Sequence, residues 1–82
     1  MKKPIFRIFA SYEITNKIGV TRRPIKGVID TFALSDEVEE IKKDQDIINR
    51  ICYINKRKPE KVNIEIKKVD IENQYGFTTD RF

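Results

Sequence analysis

Eighty-two residues make one domain, 39% hydrophobic and 37% charged, with seventeen cations against thirteen acids and no histidine. A chain this short buries only about two-thirds of its unfolded surface, so its core is thin. Without imidazole the usual general base is missing, and with one cysteine, Cys52, both an intramolecular disulfide and the ordinary zinc sites are excluded.

No run approaches the roughly 18 apolar residues of a membrane span. Pro4, Arg7, Tyr12 and Glu13 interrupt any apolar signal segment after Met1-Lys2-Lys3. The expected location is the cytoplasm, away from membranes. The three glycines, Gly19, Gly27 and Gly76, are isolated, so there is no glycine-rich phosphate loop, and no EF-hand spacing occurs. No metal, cofactor or catalytic residue is expected. Fourteen isoleucines against one leucine, with eleven lysines against six arginines, point to an AT-rich genome. That composition fits a low-GC bacterium, its phages or its plasmids.

Ile5 to Ile14 reads as the first strand. Phe6, Ile8, Ala10, Tyr12 and Ile14 alternate on the core face, and Ile5, Arg7, Phe9, Ser11 and Glu13 take the other. Thr15 to Pro24 is a loop or wide hairpin connection, punctuated by Asn16, Gly19 and Pro24. Ile18 and Val20 within it extend either strand equally well. Ile25 to Leu34 is the second strand. Its two faces are both partly apolar, so its orientation stays open.

Ser35 to Pro59 reads as one long helix. Ser35 or Asp36 is the N-cap, Asp36 and Glu39 fit a capping box, and acids fill the first turn. Lys56, Arg57 and Lys58 close the other end, and Pro59 stops it. Val38, Ile41, Ile48, Ile51 and Cys52 form its apolar stripe, widened by Ile47 and Ile54. Cys52 on that stripe is expected to be a small buried hydrophobe. Asp44 falls inside the apolar arc. A break near residues 43–46, with Asp44 or Asp46 capping a second short helix, accounts for it better than a charge held against the sheet.

Val62, Ile64 and Ile66 alternate as a half-buried third strand. The phase switches at Val69 and Ile71, which requires a bulge or a strand that turns over. Residues 72–82 are either a frayed tail or one whose aromatics, Tyr75, Phe77 and Phe82, tuck back. The expected fold is α+β: a small β-β-α-β domain with a three-stranded, mainly antiparallel sheet and the long helix packed on one face. The last strand lies beside either the second or the first.

Charge is segregated. Residues 1–34 carry a net of +5, 35–55 a net of −3, 56–68 a net of +4 and 69–82 a net of −2. Two basic clusters result: Lys17, Arg22, Arg23 and Lys26 in the loop, and Arg50, Lys56, Arg57, Lys58 and Lys61 at the helix end. Converging in space, they make a positive patch of phosphate size. Phe9 beside Arg7 is a candidate aromatic contact for a base.

The leading functional expectation is a non-enzymatic protein that docks on another protein, of the kind phages and mobile elements use to inhibit a host or defence enzyme. Its positive charge argues against DNA mimicry. The second is nucleic-acid binding through the two basic clusters, weakened when Arg22 and Arg23 are neutralised. The third is capture of a small anionic nucleotide by Arg22, Arg23 and Arg57 at a homodimer interface, since a three-stranded sheet leaves edges to pair.

Overall fold

The structure, a computed structural model, describes residues 3–20 and 22–77. Alternation and β-branched content produce three strands: β1, Pro4–Asn16; β2, Ile25–Ala33; and β3, Val62–Phe77. Their order is β2-β1-β3, and both pairings are antiparallel. The third strand therefore lies beside the first. The molecule's longest extent, 44 Å, is about the length of β1, whose thirteen residues rise about 3.3 Å each.

The core face of β1 is the one its alternation marks. Ile8, Ala10, Tyr12 and Ile14 are buried, and Phe6 is half-buried against them. In β2, Ile29, Thr31 and Ala33 point inward, while Val28, Asp30 and Phe32 lie on the open face. That strand is not covered on both faces. It is an edge strand with exposed apolar side chains.

β3 is longer than its sequence pattern implies. Its register against β1 shifts three times, passing over Lys67, Glu72 and Tyr75. The first shift is a bulge at Lys67-Lys68, and it moves the inward set from Ile64 and Ile66 to Val69 and Ile71. The expected tail is corrected over 72–77, which continues as strand and pairs back to Pro4. The rest of the tail, including Asp80 and Phe82, lies outside the described residues, as do Met1, Lys2 and the side chains of Tyr75 and Phe77.

The single long helix is also corrected. Two short helices replace it: α1, Val38–Lys42, and α2, Gln45–Ile54. Asp44 sits between them, its Oδ1 accepting from the backbone N–H groups of Asp46 (2.9 Å) and Ile47 (3.4 Å). An unbroken helix would press this carboxylate into the apolar arc, where charge is costly. Breaking there turns the same residue into an N-cap, worth about 1 kcal/mol. The capping box at Asp36 does not form. Glu37 is the N-cap of α1 and makes no side-chain cap, while Ser35 Oγ accepts from the Glu37 N–H ahead of it.

Ile41, Ile47, Ile51 and Cys52 bring both helices onto the core face of the sheet. Cys52 is buried, and burial first, then the Glu60 carboxylate, raise its pKa above the ordinary thiol value. A thiol held neutral this way packs rather than reacts. Among the described residues no helix is long and apolar enough to cross a membrane.

Candidate nucleic-acid interface

The antiparallel order puts three chain segments at one end of the sheet: the β1–β2 loop, the α2–β3 connection and the start of β3. The pair Ile14–Ile25 closes the hairpin, and Asn16 pairs with Val62. Lys17 N–H donates to the Lys61 carbonyl at 3.0 Å, tying the loop to the connection. The two basic clusters meet there.

The geometry of α2's end explains how. Asn55 is its C-cap, and Lys56 follows with φ 55°. Lys56 N–H donates to the Tyr53 carbonyl and Arg57 N–H to the Cys52 carbonyl, the paired bonds of a Schellman ending. Pro59 does not stop the helix; it opens a 3₁₀ turn, Pro59–Lys61. The chain thus reverses sharply and delivers Arg57 beside the hairpin loop. Arg22, Arg23 and Arg57 line one cavity of about 220 Å³, floored by Ile14, Ile25 and Val62. Asn16, Arg57 and Val62 also line the adjoining cavity of about 530 Å³, with Lys56, Lys58 and Lys61. Glu60 is the one acid in it.

Residues 15–25 and 55–62 together hold seven cations and one acid, a net of +6, which leaves −2 for the rest of the chain. Among the described residues none of the seven forms an ion pair within 4.0 Å. The open sheet face behaves differently. There Arg7 is bound to Asp30 at 2.7 Å, Lys67 to Glu65 at 3.0 Å, and Lys68 lies 4.0 Å from Asp70. The hydrogen bond from Arg7, more than its charge, holds the Asp30 carboxyl below its ordinary pKa against the opposing effect of burial. The Glu65 hydrogen bond raises Lys67 correspondingly. Arg7, Lys67 and Lys68 on the sheet thus have acidic neighbours, whereas among the described residues the seven cations at the loop end have none within 4.0 Å.

Three of the expected site residues belong elsewhere. Lys26 faces the open side of the sheet, in a cavity with Glu13 and Lys67. Arg50 lies on α2 and donates through Nη1 to Thr31 Oγ1, in the groove between β2 and α2. Phe9 is half-buried on the open face, with Arg7 5.9 Å from its ring centre. Its partners across both neighbouring strands are Asp30 and Asp70. Both carboxylates are matched by cations, Asp30 by Arg7 and Asp70 by Lys68, so Phe9 lies on a charge-balanced face away from the loop-end cations.

The residues that sequence reasoning missed are Ile18 and Val20. They are 89% and 83% exposed at the loop tip, on either side of Gly19 with φ 89°. Their alternation resembles a strand extension, and only Gly19 between them signals a tip.

Lys56 holds a left-handed conformation that favours glycine. Lys56→Gly is expected to stabilise the fold by about 1 kcal/mol in urea unfolding while weakening polyanion binding. Opposite signs in the two assays mark a cation kept for binding at a cost in stability. Comparison of the chain with protein-family models, curated proteins and solved structures returns no significant match.

Proposed function

We propose that this protein is a non-catalytic nucleic-acid binder that grips the phosphate backbone at the loop end of its sheet. The observation that carries the reading is the convergence of Arg22, Arg23 and Arg57 on one cavity, next to lysines that form no ion pair within 4.0 Å among the described residues. Seven cations held close repel one another, and a polyanion relieves that repulsion by releasing its own counterions. Guanidinium groups match phosphate geometry bidentately, while the lysines act as point charges around them. All three guanidiniums come from one chain, so a partner protomer is not needed to assemble them.

Docking on another protein would take its orientation from the acidic helix start and the same basic loop, with the apolar groove between β2 and α2, where Tyr53 and Ile54 are exposed, as further contact area. The phosphate reading ranks above it because charge names an occupant for the loop end, whereas the groove's lining names none.

Fluorescence anisotropy with labelled duplex DNA, single-stranded DNA and RNA tests the proposal. About four simultaneous phosphate contacts give a log–log salt slope near −3.6, and affinity for duplex falls about a hundredfold between about 50 and 200 mM salt. Absence of binding at the lower salt removes the reading and returns docking on another protein to first place.

A further inference from the structure

Resting on the phosphate reading, we propose that the β1–β2 loop tip is an apolar wedge, and that the ligand is duplex DNA whose base stack Ile18 and Val20 open from a groove. These are two of the three most exposed large apolar side chains among the described residues. Burying neither against its own protein forfeits hydrophobic stabilisation, so a soluble surface ordinarily places polar residues at such a tip.

The base of the loop is tied down. Lys17 N–H is bonded to Lys61, and Asn16 Nδ2 reaches the Val20 carbonyl at 3.5 Å. Lys17 precedes the two aliphatic residues and Arg22 and Arg23 follow them. Cations flanking a small apolar point match the cross-section of a DNA groove, where phosphates form the rims and base edges the floor. Isoleucine-type wedges that part a base step from the minor groove use this combination, and a two-stranded ribbon is slim enough for the major groove.

Single strands are the weaker match. Sequence-tolerant binding of single strands relies on aromatic side chains that stack successive bases. Residues 15–25 and 55–62 contain no aromatic residue. Tyr53, 85% exposed, lines the β2–α2 groove with Asn49 and Ile54 instead. An anionic membrane surface also pairs apolar and cationic groups, but interfacial anchors carry Trp, Phe or Leu over a much larger apolar area. Two β-branched side chains on a hairpin are a wedge, not an anchor.

The test uses the whole chain, a DNA duplex of about 20 base pairs with a central 2-aminopurine, and phosphatidylserine-containing vesicles. Wild-type protein should raise the 2-aminopurine fluorescence as a base step opens. Ile18→Ser with Val20→Ser should bind about tenfold more weakly, with the salt slope unchanged and no fluorescence rise. Both positions are solvent-exposed, so circular dichroism of the variant should match wild type. A variant equal to wild type, or a silent probe under saturating wild-type protein, overturns the wedge and leaves the phosphate reading standing. Binding to vesicles with none to duplex overturns both.

Discussion

Replacing Arg22, Arg23 and Arg57 together by glutamine is expected to cost two to three orders of magnitude in duplex affinity near 0.1 M salt. Each phosphate contact contributes about 0.9 to the log–log slope, so each is worth nearly tenfold at that ionic strength, and three give about five-hundredfold. The slope itself should shrink by about 2.7. All three arginines are exposed and glutamine keeps part of the aliphatic stem, so the change removes charge with little loss of packing.

Stability should move the other way. None of the three arginines has an acidic partner among the described residues, so neutralising them relieves repulsion. The variant should melt at or above the wild-type temperature at low salt, and the difference should fade as salt screens the charges. A variant that loses affinity and stability together would point to misfolding instead. The triple lysine variant separates charge from geometry: it should retain the slope while losing part of the affinity, because an ammonium cannot make the bidentate contact.

This loop-end patch was half legible in the sequence. Both clusters are visible as runs of cations, but their meeting depends on the strand order, which is set by long-range pairing. The core face of β1 was readable because a central strand with helices on one side keeps a strict alternation. β2 was not, since its open-face Val28 and Phe32 are as apolar as its buried Ile29 and Ala33. β3 hid its second half because each bulge reverses which residues point inward. Glu72-Asn73-Gln74, at an edge beside an uncovered face, then looks like a tail. Asp44 shows the opposite case. One misplaced acid within an apolar stripe marked a helix break to within residues 43–46, with Asp44 or Asp46 as its cap, because burying the acid unpaired costs more than ending a helix.

Gly27→Ala is expected to destabilise the fold by about 2 kcal/mol, although alanine ordinarily improves on glycine in a strand. Gly27 pairs with Tyr12 across β1 and β2, and the Tyr12 ring lies over it. A Cβ added there would sit 2.5 Å from the Tyr12 hydroxyl oxygen and 2.6 Å from Cζ. The ring is 7% exposed and cannot swing into solvent without leaving the core. Its hydroxyl also accepts a hydrogen bond from Asn55 Nδ2 at 3.1 Å, and the same nitrogen donates to the Ile51 carbonyl at 2.8 Å. Displacing the ring therefore loosens the C-cap of α2 as well as the sheet. The conformational gain of removing a glycine is about 0.5–1 kcal/mol and does not offset overpacking of about 1–3 kcal/mol joined to a lost hydrogen bond. A domain of this size has roughly 4–12 kcal/mol in total, so the melting temperature should fall by about 8–16 °C. Tyr12→Leu removes the ring and is destabilising alone, but with it Gly27→Ala should cost almost nothing more. A double-mutant cycle in urea should thus report a coupling of at least about 1 kcal/mol. Additive costs would mean that the ring does not rest on Gly27, and that Asn55, with the turn carrying Lys56 and Arg57, is held in place by something else.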